Sequence, residues 1–132
     1  FIVNPEHLPE FLPRLRKIIK KYKLFATIAG HMGDGNFHII PLMDIEKKSE
    51  RDKILPAMKE VNDLVLEYKG SLSGEHNDGL VRGPFLEKMY GPKFYAILQE
   101  TKKIFDPQNI FNPHKKTDAD WTYSKKHIRE RF

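Results

Sequence analysis

The stretch Gly30-His31-Met32-Gly33-Asp34-Gly35-Asn36-Phe37-His38 decides the fold that the sequence predicts, because it joins two β-like runs through a glycine-rich turn. Residues 24–29 before it and residues 37–42 after it are rich in β-branched, aromatic and aliphatic side chains, as strands usually are. Asp34-Gly35 is a favoured pair for the centre of a two-residue hairpin turn. The stretch therefore predicts an antiparallel hairpin.

A hairpin with this turn places His31 directly opposite His38. Opposed residues on one face of a sheet have Cβ atoms about 5 Å apart, a spacing at which two imidazoles can share one metal ion. A turn shifted by one residue would break this pairing. A structural role, with each ring hydrogen-bonded to the backbone, is the alternative interpretation of the two histidines.

The composition is that of one globular domain. The chain has 132 residues, starts at Phe1 rather than methionine, and we therefore expect a fragment of a longer protein. Its 23 basic and 18 acidic residues give a net charge of +5, but no aromatic or helical nucleic-acid signature accompanies the dispersed lysines. The absence of cysteine is compatible with a reducing compartment, and we expect a cytoplasmic protein without a membrane span.

Hydrophobic periodicity predicts the remaining elements. They are a strand at residues 1–3, a helix at 8–22 that Pro13 kinks or shifts, a helix at 49–69 that Pro56 divides or delays, a strand at 71–73, a short turn at 84–91 and a helix at 92–105. With the hairpin, the order is β-α-β-β-α-β. This order predicts an α+β fold with a ferredoxin-like antiparallel sheet, helices on one of its faces, and further helices at the C-terminus.

The predicted topology brings a second polar loop to the same edge of the sheet as the histidines. This loop is Gly74-Glu75-His76-Asn77-Asp78-Gly79. Two histidines and one glutamate suffice to hold a divalent metal with open positions, and a neighbouring histidine can serve as a base. Asp34 is better explained as a turn former, and Asp78 can fix its loop through its side chain. His7, His114 and His127 are interpreted as surface residues.

One face of the predicted sheet is unusual for a lone domain. The face shared with the histidines carries Phe25, Thr27, Ala29, Ile40 and Leu42 and is largely apolar. A sheet with helices on one side normally leaves its other face wet and polar. We therefore expect this face to be exposed in the chain and covered by something that the chain lacks.

Three motifs together resemble a known family. They are the residue 30–38 stretch, the residue 74–79 loop and Phe105-Asp106-Pro107-Gln108-Asn109-Ile110-Phe111-Asn112-Pro113. In order and spacing they resemble the C-terminal domain of FAD-linked oxidases of the vanillyl-alcohol oxidase type, and most of all the D-lactate, glycolate and D-2-hydroxyglutarate dehydrogenases. The resemblance covers residues 1–113 and leaves residues 114–132 as a basic C-terminal tail.

The resemblance implies a flavoenzyme that oxidises a D-2-hydroxy acid to the 2-keto acid. It assigns a divalent metal, commonly zinc, to His31, His38 and Glu75, the role of base to His76, and the flavin side to Asn77 and Asn112. It also implies an upstream FAD-binding domain, without which the isolated chain should bind FAD poorly and be inactive. A non-catalytic ferredoxin-like module that binds a metal or another ligand is the alternative from another class.

Overall fold

The structure, a computed structural model, describes residues 1–130, which form two compact units. The first unit comprises Phe1–Gly74 and the last residues from Arg129, and the second comprises Glu75–Ile128. Arg131, which the sequence analysis placed in the basic tail, lies outside the described residues. Each unit is described by itself.

The first unit contains two helices and a hairpin. Its elements are α1 (Leu8–Lys21), β1 (Phe25–Ala29), β2 (His38–Leu42) and α2 (Lys48–Glu67), with short 3-10 turns at Pro5–His7 and Met32–Asp34. Helices beside a small antiparallel sheet confirm the α+β class. The two helices and both strands lie within a few residues of the positions that periodicity predicts.

The core of the first unit lies along the apolar stripes of its two helices. α1 buries Phe11 and Leu15 completely, since apolar residues three and four positions apart share one face of a helix. The other buried apolar side chains are Val3, Phe37, Ala57, Val61, Leu64, Val65 and Leu72. At the surface, Arg14 of α1 donates two hydrogen bonds of 2.6 and 2.7 Å to the carboxylate of Glu67 at the end of α2.

Neither interior proline interrupts its helix. Pro13 lies inside α1 and Pro56 inside α2, and both helices are continuous across them. The expectation that Pro56 divides or delays its helix is therefore wrong. Pro56 is on the exposed side, where a helix can tilt its carbonyl groups toward water and so accommodate the proline ring.

The sheet is smaller than the sequence predicts. Within residues 1–130 only β1 and β2 form a named sheet, and the predicted first and fourth strands are single bridges, from Ile2 to Asn36 and from Ile2 to Ser71. Both bridges are antiparallel, and Ile2 lies between its two partners. A fully formed ferredoxin-like sheet therefore stays a prediction.

The second unit is helical. It contains α3 (Gly79–Arg82), α4 (Leu86–Tyr90), α5 (Pro92–Phe105) and α6 (Trp121–Lys126), with 3-10 turns at Gly83–Phe85 and Lys116–Asp118. Phe85 and Leu86 are its buried apolar side chains, whereas α5 buries none of its residues. None of the helices within residues 1–130 combines the length and the apolar character that crossing a bilayer requires.

Candidate functional site

The loop between β1 and β2 is longer than the predicted turn. Ala29 pairs with His38, so residues 30–37 form the connection and His31 is not opposite His38. The prediction of a two-residue turn at Asp34-Gly35 is therefore wrong. Met32–Asp34 instead form a 3-10 turn, closed by hydrogen bonds from the Asp34 and Asn36 amides to the His31 carbonyl oxygen, of 3.0 and 3.2 Å.

The N-terminal segment explains why the turn opens. The Val3 amide donates to the Gly35 carbonyl oxygen at 3.0 Å, and the Phe37 amide donates to the Phe1 carbonyl oxygen at 2.9 Å. The end of the loop is thus hydrogen-bonded to residues 1–3, and the ladder between β1 and β2 starts only at the pair Ala29 and His38. Phe37 is buried and fixes the start of β2 in the core.

His38 begins β2 and is half-buried. Because residues opposite each other and residues two apart share a face, His38 lies on the same face as Ala29, Ile40 and Leu42. Ile40 is 58 % exposed and Leu42 76 % exposed, and Phe25 opposite Leu42 is 79 % exposed. The expectation of an exposed apolar face beside His38 is confirmed.

The second predicted loop starts next to the first within the first unit. Gly74 is so close to Asn36 that a Cβ on Gly74 would lie 3.1 Å from the Asn36 Nδ2 atom. Asn36 is two residues before His38 and buried. Gly74, the residue directly before Glu75, therefore lies against the loop that joins His31 to His38.

Glu75 and His76 open the second unit. The Glu75 Oε1 and His76 Nε2 atoms lie 3.7 Å apart, and the side chains are 39 % and 65 % exposed. The next residue, Asn77, has a φ of +62°, the left-handed conformation that asparagine tolerates. Its carbonyl oxygen accepts a 2.8 Å hydrogen bond from Arg82. These contacts fix the direction in which the backbone leaves His76.

The residues that the sequence analysis set aside have structural contacts. Asp34 lies in the 3-10 turn, and the Asp78 Oδ2 atom forms a 3.1 Å ion pair with the Lys116 Nζ atom. His114 and His127 are exposed and stack on Tyr123, with ring centroids 4.0 and 4.1 Å apart.

Two carboxyl groups whose contacts the sequence analysis did not predict, those of buried Asp106 and half-buried Asp118, hold the third motif. Burial raises the pKa of Asp106, but hydrogen bonds from Lys102 and from the Ile110 and Phe111 amides outweigh it and lower this pKa below its usual value. Asn112 follows in the left-handed conformation, with a φ of +49°. The Asp-Pro pair after a helix was the only sequence signal for this arrangement.

Asp118 acts in the same way further along the chain. Its Oδ2 atom accepts 2.8 Å hydrogen bonds from the His114 amide and from the Asn109 side chain. Burial raises the pKa of Asp118, but the favourable interactions of its carboxylate, chiefly these two hydrogen bonds, outweigh that effect and lower the pKa below its usual value. Residues 109–118 are thereby held as one ordered loop.

Comparison with known proteins gives one consistent result. The chain matches the family described as FAD linked oxidases, C-terminal domain, over residues 1–116. It is 34% identical over 113 residues to glycolate oxidase subunit GlcD of Bacillus subtilis, which covers 86% of this chain and 24% of that protein.

Two further relatives carry dehydrogenase names. The chain is 33% identical over 113 residues to D-2-hydroxyglutarate dehydrogenase of Haemophilus influenzae, covering 86% of the chain and 11% of the relative. It is 31% identical over 109 residues to the mitochondrial D-lactate dehydrogenase (cytochrome) of Arabidopsis thaliana, covering 83% and 19%. The chain thus spans about a quarter or less of the length of these curated relatives. The family match over most of the chain shows that it belongs to the C-terminal domains of FAD linked oxidases.

Proposed function

We propose that this chain is the substrate and metal-binding cap domain of a flavoenzyme that oxidises a D-2-hydroxy acid to the 2-keto acid. Family membership supports an FAD-linked oxidase, and the names of the relatives point to glycolate, D-lactate or D-2-hydroxyglutarate as substrates. The cap comprises residues 1–113, followed by the basic tail.

The observation that carries the proposal is the close approach of Gly74 to Asn36. Glu75 follows Gly74 directly, with consecutive Cα atoms about 3.8 Å apart, and we therefore assign Glu75 to the same site as His31 and His38. A carboxylate and a histidine, Glu75 and His76, then follow directly after Gly74 in the chain. We propose that His31, His38 and Glu75 are the metal ligands.

The chemistry of these side chains fits a divalent ion such as zinc. Imidazole nitrogen and carboxylate oxygen are both good zinc ligands, and a set of three protein ligands leaves a position for substrate. His38 is half-buried, and the pairing of β2 with β1 at Ala29 fixes the position of its backbone. His31 lies in the loop and is exposed, which leaves it room to turn toward an ion.

His76 is proposed as the base. Its ring is 65 % exposed and has the Glu75 carboxylate 3.7 Å from its Nε2 atom. When bound, a divalent metal would polarise the hydroxyl and carboxylate groups of the substrate and FAD would accept the hydride. His76 would take the hydroxyl proton on a ring nitrogen, which requires the neutral imidazole.

FAD is proposed to be held mainly by another domain of the same protein. The left-handed Asn77 and Asn112 would face the flavin. The exposed apolar face with Phe25 and Leu42 would be covered by that domain. A cytoplasmic location stays a prediction from the cysteine-free sequence.

Four alanine variants of the full-length protein test the assignment. His31→Ala, His38→Ala and Glu75→Ala should each lose bound metal and turnover of D-2-hydroxy acids. His76→Ala should keep its metal and lose about 100-fold or more in kcat, since a positioned base contributes at least that much. Metal is measured by elemental analysis of the purified protein, and turnover with D-lactate, glycolate and D-2-hydroxyglutarate.

His7→Ala is the matched control, because His7 is exposed and its ring packs against that of Tyr68, with centroids 5.6 Å apart. It should keep both metal and turnover. A His76→Ala enzyme with a normal kcat would show that His76 is not the base. A wild-type protein that binds metal but oxidises none of the three acids would support the non-catalytic module instead.

A further inference from the structure

The last described part of the second unit packs against the segment that follows Glu75 and His76. We call residues 116–124 the C-terminal clasp, and residues 78–85 the held segment. The family match ends at residue 116, so almost all of the clasp lies beyond it. Nothing in the composition of the basic tail predicts that it would be an ordered part of the unit.

Polar contacts join the clasp to the held segment at two points. Lys116 Nζ lies 3.1 Å from Asp78 Oδ2, in an ion pair whose carboxyl side chain is only 10 % exposed. Ser124, itself buried, donates a 2.8 Å hydrogen bond from Oγ to the Leu80 carbonyl oxygen. The clasp therefore contacts both the residue that precedes α3 and the backbone inside it.

Apolar packing completes the attachment. The ring of Trp121 meets the buried ring of Phe85 edge to face, with centroids 5.0 Å apart and an interplanar angle of 88°. Gly83 is so close to Ala119 that an added Cβ would lie 2.6 Å from the Ala119 Cβ atom. This contact requires glycine at position 83.

The held segment depends on such support. It consists of a four-residue helix and a three-residue 3-10 turn, both far shorter than the roughly 12 residues that an isolated helix needs to be marginally stable. Asp78 is two residues after His76, and Asn77 between them is fixed by its left-handed backbone and by Arg82. Movement of Asp78 would therefore change the direction of the His76 backbone.

We propose that the C-terminal clasp is a positioning element for the Glu75-His76 pair, with Lys116 and Ser124 as positioning residues. This inference rests on the proposed function of that pair. The clasp touches neither Glu75 nor His76 through the contacts above and acts through the held segment. Because small misplacements of a catalytic group reduce turnover strongly, loss of one clasp contact should lower kcat by about tenfold.

The test uses the full-length protein and two independent measurements. Ser124→Ala and Lys116→Met each remove one contact and are small enough changes to preserve the fold. Amide hydrogen exchange of peptides covering residues 75–85 should become faster in both variants. With a D-2-hydroxy acid, kcat should fall about tenfold while KM changes much less, because the group that these variants displace is the proposed base, His76.

Two variants serve as controls. Lys116→Arg retains the ion pair with Asp78 and should restore both slow exchange and kcat. Lys125→Met removes an exposed lysine of α6 and should change neither measurement. Together they separate the ion pair from the general charge of the tail.

The outcomes are distinguishable. An unchanged rate of amide hydrogen exchange in Ser124→Ala and Lys116→Met would show that the C-terminal clasp does not stabilise the held segment. Faster exchange with an unchanged kcat would show that the clasp is structural only and would overturn the positioning role. A wild-type protein without metal or turnover would refute the proposed function, and with it the positioning role, even where the exchange result stands.

Discussion

Replacing Gly35 with alanine should destabilise the first unit more than replacing any other glycine of the loop at residues 30–37 with alanine. Gly35 has a φ of +67°, and an added Cβ would lie 1.8 Å from the Val3 carbonyl oxygen. That oxygen belongs to the backbone of a fully buried residue and has no flexible side chain to yield. The N-terminal segment must therefore move away from the loop by roughly 1.2 Å to reach even the closest distance that real contacts show.

The cost can be estimated from two terms. A left-handed backbone costs a residue with a Cβ about 1–2 kcal/mol relative to glycine. Moving Val3 also breaks the 3.0 Å hydrogen bond from its amide to the Gly35 carbonyl oxygen, and an unsatisfied buried amide costs about 1–3 kcal/mol. We expect a loss of about 3 kcal/mol in the free energy of unfolding, within the range that these two effects allow.

Gly33→Ala is the matched control. Gly33 lies two residues before Gly35 in the same loop, and a Cβ added to it would have no heavy atom within 4 Å. Urea denaturation of the 132-residue chain, followed by far-ultraviolet circular dichroism, measures both variants. With a slope of about 1.5 kcal/mol per molar urea, Gly35→Ala should lower the midpoint by about 2 M and Gly33→Ala hardly at all. Equal midpoints for the two variants would refute the reasoning.

Two further predictions concern the core and the pH dependence. Phe11→Ala should cost about 3–5 kcal/mol in unfolding free energy, because Phe11 is fully buried, whereas Phe105→Ala, at an 80 % exposed position, should change it by less than about 0.5 kcal/mol; the same urea titration compares them. The lowered pKa of Asp118 contributes stability that is complete above the unfolded-state value of about 3.9 and is lost as the pH falls through the lower folded-state pKa. Melting temperatures measured between pH 6 and about pH 2.5 should therefore fall at the acidic end, and less steeply in Asp118→Asn; parallel curves would contradict this role of Asp118.

The helices were predictable because their signals are local. The apolar spacing of α1 and the Gly91-Pro92 start of α5 lie within the elements that they define, and the structure has these helices at Leu8–Lys21 and Pro92–Phe105. Pro56 misled the prediction, since its position on the exposed side of α2 depends on packing rather than on sequence spacing.

The hairpin was predictable in kind but not in register. Asp34-Gly35 is a favoured turn pair, yet Gly35 and Phe37 bond to residues 1–3, more than thirty positions earlier. No local pattern reports that competition. The same limit applies to the clasp, because the sequence does not reveal that the polar residue Ser124 is buried.

The site itself was predicted only as a set of residues. The sequence placed His38 on an apolar sheet face, and the structure has it there, beside Ile40 and Leu42. The facing arrangement of His31 and His38 was wrong, because it depended on the register. The assignment of metal ligands and base stays a prediction that the variants described above will test.

The edges of the sheet have a practical consequence for producing this chain by itself. Within residues 1–130, β1 is hydrogen-bonded to a strand on one side only, and its other edge offers amide and carbonyl groups to a strand from another molecule. β2 is partly protected, because Pro41 has no amide hydrogen and interrupts the addition of a strand. β1 contains no proline that would interrupt such pairing. A charged residue in place of the exposed Thr27 would therefore suppress aggregation of this domain when it is produced by itself.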